Sequence, residues 1–142
     1  MHVAARAPRR LYLSCWPWTD RSTLPVRERN GGLYRTEDGG ASWKLVFDQS
    51  AHVYAAALDP NSPSTIVINT FDSAAFRSDD RGQSWYRLEG YDFKWGHRPA
   101  FDPHNPGMIY LTTFGGGVHY GPAMGAPGAE GTFVNGDFLR WR

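Results

Sequence analysis

The chain has 142 residues, enough for one domain with a buried core, and its formal charge of +1 with a pI near 7.9 gives no general attraction to nucleic acid or to an anionic membrane. Cys15 stands alone, which excludes an internal disulfide, and no apolar run approaches the roughly 20 residues of a membrane span. Aromatic residues make up 15% of the chain beside 16 glycines and 10 prolines, a high share for a sequence so rich in turn residues.

From the N-terminus, the basic residues are scattered except for Arg6, Arg9 and Arg10, and Leu11-Tyr12-Leu13 is too short for the apolar core of a signal peptide. A strand is expected over 11–14, then a long loop from Cys15 through Trp16, Pro17, Trp18, Thr19 and Asp20 to Asn30. A strand over 33–36 leads into Thr36-Glu37-Asp38-Gly39-Gly40-Ala41-Ser42-Trp43, and another is expected over 42–47. The signature returns as Ser78-Asp79-Asp80-Arg81-Gly82-Gln83-Ser84-Trp85, offset by 42 at the hydroxyl, the acid, the glycine and the tryptophan.

The spacing has a physical reason. A tight turn between two strands needs a residue free to take positive φ, here Gly40 and Gly82, and an acceptor for exposed backbone N–H groups, here Asp38 and Asp80. The hydroxyls of Thr36 and Ser78 tie the turn further, and Trp43 and Trp85 are expected to fold back as apolar plugs beside each sheet. Both acids are thus read as scaffold rather than as ligand-binding groups.

A second repeat flanks the first. Leu58-Asp59-Pro60-Asn61-Ser62-Pro63 returns as Phe101-Asp102-Pro103-His104-Asn105-Pro106, offset by 43, and each copy precedes a β-branched apolar run. The prolines forbid helix and set a reversal between strands. A period near forty in a chain of short strands predicts propeller blades of four antiparallel strands, none able to bury both faces alone. One whole blade is expected over 53–58, 65–70, 75–78 and 84–88, with a further set over 97–101, 108–113 and 117–120. In that last repeat Ala123 and Gly128 stand where the acid and tryptophan are due, inside a loop-like run over 121–128, and 132–142 is left as a closing strand.

The predicted architecture is therefore an all-β partial propeller over 1–142, with a partial blade and inserted loop over 11–52, a complete blade over 53–96 and an atypical terminal blade over 97–142. Propellers close with about four to eight blades, and two to three are present. A longer chain, several copies in one ring, or an open stack would each complete it, and a fragment of a longer chain is the favoured expectation.

In such a blade the loops from second to third strand, and from each blade to the next, open on the face opposite the signature turns, where propeller ligands commonly bind. That face is predicted to gather Trp16, Trp18, Phe71, Trp95, His97, Arg98 and Phe114. Flat rings beside polar groups suit carbohydrate, since rings stack on the apolar faces of sugars. Trp95 aligns with His52 and His97 with Tyr54, so the same segment also serves as the entrance to an inner strand. Glycoside hydrolysis needs two carboxyl groups about 5 to 10 Å apart. Asp20, Asp72 and Asp92 are the acids on the predicted face, and their spacing selects no pair.

His97, His104 and His119 lack the close spacing of metal-ligand motifs, and neither a nucleophile motif nor a glycine-rich phosphate loop is present, so no metal or cofactor is expected. The expected partners are a polysaccharide or oligosaccharide and further propeller blades, with no nucleic acid and no membrane. A non-catalytic protein-interaction module is the competing function, and a metal-dependent enzyme using His97 and His119 a more distant one.

The two signatures, with Asp-Pro-x-x-Pro ahead of the blades, resemble the BNR or Asp-box repeat superfamily, which includes sialidases, xyloglucan-active glycoside hydrolases and sortilin-type receptors. The resemblance covers roughly residues 11–122, and the stretch from Phe93 to Pro122 looks like the C-terminal end of large bacterial BNR-repeat glycosyl hydrolases. It implies a propeller, a carbohydrate-directed role, and a secreted or periplasmic protein whose signal would lie upstream. The arginine triad and acid-paired tyrosine of a sialidase cannot be assembled from these residues, nor can the catalytic aspartates of the xyloglucanase type.

Overall fold

The computed structural model describes residues 2–3, 9–16, 18–20, 27–71 and 74–126, and all regular structure in them is β-strand. No described segment is a helix long and apolar enough to cross a membrane. Short β1 (His2–Val3) pairs with β2 (Leu11–Cys15). A small hairpin, β3 (Trp18–Asp20) with β4 (Arg27–Arg29), occupies the stretch expected to be a long loop. β5 (Gly32–Thr36) and β6 (Lys44–Phe47) complete a first antiparallel sheet in the order β1-β2-β5-β6. The second sheet is a four-stranded meander of β7 (Val53–Asp59), β8 (Ser62–Thr70), β9 (Ala75–Ser78) and β10 (Tyr86–Arg87). β11 (Gly96–Phe101), β12 (Met108–Thr113) and β13 (Val118–Pro122) form the third. The inner strands β7 and β11 lie side by side and β1 also approaches β7, so the sheets stack around a common axis as a partial propeller.

Where two blades meet, the apolar rows of their facing surfaces form a core layer. Tyr12 and Leu33 of the first blade pack on Ile66 and Ile68 of the second, with Phe47, Phe76 and Trp85 at the margin. Val67, Ala75, Leu88 and Tyr91 pack on Ile109, Leu111 and Ala123 of the third. The middle blade is covered on both faces, so Ile66, Val67 and Ile68 are all fully buried, and β8 reads as a continuous β-branched run. In β12 only Ile109 and Leu111 are buried while Tyr110 between them is exposed, because one face alone has a neighbour.

Both signatures form the expected turn. In the first, Thr36 Oγ1 donates to Asp38 Oδ1 at 2.6 Å and accepts from Gly40 N at 2.9 Å, and Ser42 N donates to Asp38 Oδ1 at 2.9 Å. In the second, Ser78 Oγ donates to Asp80 Oδ1 at 2.8 Å and accepts from Gly82 N at 2.7 Å, and Ser84 N donates to Asp80 Oδ1 at 2.8 Å. Gly40 and Gly82 sit at φ +102° and +86°, as the turn requires. These bonds favour the ionised carboxylates. Donation from Ser42 and Thr36 holds Asp38, and donation from Ser84 and Ser78 holds Asp80, well below the usual carboxylate range.

The two tryptophans diverge. Trp85 plugs the junction as expected, its indole N–H donating to Val46 O of the preceding blade at 2.6 Å and its ring 5.2 Å from Phe47. Trp43 lies over Gly40 and is exposed at the open side of the first blade. A further pair of cross-blade bonds follows the repeat. Arg35 Nη1 donates to Arg81 O at 2.6 Å, and Arg77 Nη1, one period on, donates to Ala123 O at 2.8 Å.

Among the described residues, the third blade meets the second through main chain at the matching place. The carbonyl of Glu89, one period after Val46, accepts from the backbone N–H of Ala126 at 2.8 Å, so main chain occupies the seat that an indole fills one blade earlier. Part of the run expected to be loop, Gly121–Pro122, belongs to β13. Gly128 and the expected closing strand over 132–142 lie outside the described residues.

Candidate functional site

Two β-bulges at equivalent places build the site. Along β7, Val53 pairs with Thr70 and Ala55 with Asn69, so Tyr54 is the extra residue. Along β11, Gly96 pairs with Thr113 and Pro99 with Leu111, leaving His97 and Arg98 against Thr112 alone. A bulge bends its strand and re-aims the extra side chain. Thr112 Oγ1 holds the second bulge, accepting from Arg98 N at 2.9 Å, donating to Arg98 O at 3.0 Å, and lying 3.2 Å from His97 Nδ1.

The bulged rings meet those that follow the second strand of each blade. Trp16, Phe71 and Phe114 are the residues just beyond β2, β8 and β12. Tyr54 is the hub, with ring centroids 4.5 Å from His97, 5.1 Å from Phe114 and 6.3 Å from Trp16. Trp16 also stands 4.7 Å from His52 and 5.0 Å from Phe71, and Phe114 4.6 Å from His97. Most of these contacts are edge-to-face, the favourable arrangement of ring quadrupoles.

Backbone bonds stitch the same residues across blades. Phe71 N donates to His52 O at 2.9 Å, Trp95 N to Phe71 O at 2.7 Å, and Phe114 N to Trp95 O at 2.8 Å. Trp95 takes φ +60°, a left-handed conformation that is uncommon for a bulky residue, and its side chain is 54% exposed. The two bonds through its peptide groups hold it there.

Of the residues predicted to share a face, Trp16, Phe71, His97 and Phe114 are brought together, Trp95 joins them through its backbone, and Arg98 sits exposed in the bulge beside His97. Trp18 and Asp20 lie in β3, where only the backbone is described, and Asp72 lies outside the described residues. Asp92 ion-pairs with Arg87 of the outermost strand β10, whereas the aromatic group gathers at the inner strands. His119 is buried, 5.4 Å from the Phe93 ring, and burial pushes its pKa down. His104 donates its backbone N–H to Asp102 within the Asp-Pro turn. Among the described residues no group of three or more His, Cys, Asp and Glu side chains is placed to hold a metal ion.

The sequence reading singled out neither His52 nor Tyr54 as a site residue. Their signal was the alignment of His52 with Trp95 and of Tyr54 with His97 at the period of 43. The assembled site is an aromatic surface drawn from three blades, with Arg98 at its edge. Asp38, Asp80 and Asp102 stand on the opposite rim because the antiparallel order sends the signature and Asp-Pro turns to the other end. There Asp102 accepts from Asn105 Nδ2 at 2.9 Å and Tyr120 Oη at 2.7 Å, which holds its carboxyl low and pushes the Tyr120 phenol up to about 12.

No protein-family model matches the chain. It is 30% identical over 104 residues to a probable oligoxyloglucan-reducing end-specific xyloglucanase of Neosartorya fischeri, a match spanning 64% of this chain and 13% of that protein. It is 35% identical over 83 residues to a vacuolar protein sorting/targeting protein 10 of Fusarium vanettenii, spanning 55% of this chain and 5% of that one. The chain thus spans a small part of the curated relatives it matches. Among solved structures, the GH74 xyloglucanase of Xanthomonas campestris superposes with a TM-score of 0.55 over 78% of this chain and 17% of its own, at 19% identity, a likeness of fold. The signature turns, the blade order and these likenesses support membership of an Asp-box propeller-type superfamily.

Proposed function

We propose that the chain is a carbohydrate-recognising part of a glycosyl hydrolase-like propeller, binding a polysaccharide across the aromatic surface of Trp16, Tyr54, Phe71, Trp95, His97 and Phe114, with Arg98 as an exposed polar contact. The observation that carries the reading is the convergence of these rings from three blades, held by two bulges and a run of cross-blade backbone bonds. The exposed rings of Trp16, Trp95 and Phe114 suit the apolar faces of sugars. The xyloglucanase relative makes xyloglucan the first polysaccharide to try.

Recognition, rather than cleavage by this segment alone, is the reading, because no carboxylate among the described residues joins the aromatic group. Of Asp20, Asp72 and Asp92, only Asp92 has a described side chain, and Arg87 engages it. Hydrolysis would fall to a completed propeller.

The test is retention in gels containing soluble xyloglucan, comparing the natural chain with the Trp16→Ala, Trp95→Ala double variant. Lost retardation with an unchanged melting temperature supports the reading. Equal retardation of a folded variant sinks it and favours a protein-interaction module.

A further inference from the structure

Tyr12, Arg35 and Lys44 form a row across the first sheet on the face that meets the second blade, Tyr12 opposite Arg35 and Arg35 opposite Lys44. Like charges directly opposite one another destabilise a sheet, so this arginine and lysine call for a reason. The second blade avoids the conflict. One period of 42 later Arg77 stands opposite Tyr86, and Asp79 serves both, 2.7 Å from Arg77 Nη2 and accepting from Tyr86 Oη at 3.0 Å. Tyr86 Oη also lies 3.8 Å from Met124 Sδ beyond β13.

The first blade has no such arrangement. Glu37, at the place of Asp79, divides its carboxylate between Arg10 Nε at 2.8 Å and Arg35 Nε at 3.1 Å. Lys44 has no ion pair or hydrogen bond among the described residues, so one acid serves two of three cations. Arg35 Nη1 is anchored on Arg81 O across the junction. Its Nε, and Tyr12 Oη at the other end of the row from Lys44, are buried without a hydrogen bond. Such unmatched buried donors are few in folded proteins. The acids of the signature turns give no relief, since Asp38 is bonded by Thr36 and Ser42, and Asp80 by Ser78 and Ser84.

Beside Lys44 the two blades leave a cavity of about 350 Å³, lined by Arg35, Lys44, Leu45, Val46, Gly82 and Gln83. Its volume falls within the range of about 300 to 1,000 Å³ of small-molecule sites, and its lining carries two positive charges and no negative one. We infer that this cavity binds the oxyanion group of a small solute, a carboxylate or a phosphate held between the Arg35 guanidinium and the Lys44 ammonium. Both cations bind such groups through charge-assisted hydrogen bonds, and an anion seated there offsets the repulsion that the register imposes. The cavity lies at the rim of the signature turns, away from the aromatic surface, so it does not depend on the carbohydrate reading.

The experiment is an NMR titration of the isotope-labelled natural chain with sodium glucuronate, with inorganic phosphate and, as the uncharged control, with glucose, all at constant ionic strength. Backbone amide signals of Lys44, Val46, Gly82 and Gln83 are read against those of Trp95 and Phe114 on the other face. At least one of the two anions is expected to move the first group along a single saturating curve that glucose does not produce, and the one that saturates at lower concentration tells a sugar acid from free phosphate. Affinity should fall as sodium chloride is raised. Lys44→Gln, at an exposed position, should keep its melting temperature and bind about tenfold more weakly. Shifts that saturate with neither anion overturn the proposal on the natural chain alone, and equal shifts with glucose overturn the role of charge. A folded Lys44→Gln variant that binds as tightly as the natural chain also overturns it, because the anion would lie elsewhere.

Discussion

Tyr54 and His97 stand one repeat apart in the sequence and in ring contact in the structure, with centroids 4.5 Å apart and the planes tilted by 45°. Each is the bulged residue of its inner strand, so the repeat that defines the blades also sets equivalent side chains against one another near the axis. A surface assembled in this way depends on its hub.

Replacing Tyr54 with alanine removes the ring that touches Trp16, His97 and Phe114. The expected loss is about 2 to 3 kcal/mol of stability, together with weakened retention on polysaccharide gels. Tyr54→Phe keeps the ring contacts and is expected to retain both within error. Chemical denaturation and gel retardation on the same samples check this.

Trp85 and Trp43 hold the same position in successive repeats, yet Trp85 donates to Val46 O and Trp43 lies exposed. Trp85→Phe should therefore lose about 1 kcal/mol for the unmade hydrogen bond. Trp43→Phe should change stability by less than about 0.5 kcal/mol. Equal losses in denaturant titrations would contradict the difference between the two seats.

Stability should fall in acid. Asp80 is held low first by the Ser84 hydroxyl, then by Ser84 N and Ser78; Asp38 is held by Ser42 and Thr36, and Asp102 by Asn105 and Tyr120. Each folded-state pKa lies below the unfolded value of about 3.9, so the stabilisation is complete above that pH and drains away as pH falls toward the folded value. Melting temperatures are expected to be level down to about pH 5 and to drop below about pH 4. Asp80→Asn should lower the melting temperature at neutral pH and make the acid decline shallower.

Gly39 and Gly82 both take positive φ, at +77° and +86°, but differ in surroundings. A methyl group at Gly39 would meet nothing within 4 Å, and the next repeat carries Arg81 at the matching position with φ +65°. A methyl group at Gly82 would lie 3.0 Å from Val46 Cβ across the blade junction. Gly39→Ala is expected to cost about 1 kcal/mol for the left-handed backbone alone. Gly82→Ala should add about 1 to 3 kcal/mol for overpacking. Paired denaturation curves give the difference directly.

Much of the fold was legible in the residues because turn chemistry is local. A hydroxyl, an acid four residues before a serine, and a glycine between them bond to one another within a single turn, so Thr36 to Ser42 and Ser78 to Ser84 declare their structure without help from the rest of the chain. The apolar runs declared strands, and the spacing of the repeats declared blades. Trp16, Phe71, His97 and Phe114 could be named for one face because antiparallel order dictates which loops share a rim. Tertiary structure decided the remainder. Bulges at Tyr54 and His97 depend on how β7 and β11 pair with their partners, and no residue type announces a one-residue slip. Main chain at Ala126 could replace an indole because the Glu89 carbonyl needs a donor from whatever the neighbouring turn presents, not a particular side chain. Exposure of Leu13, Tyr110 and Val118 was equally invisible, since their strands read much like those that are covered. Burial belongs to the neighbour, and a sequence spells the face without spelling what lies against it.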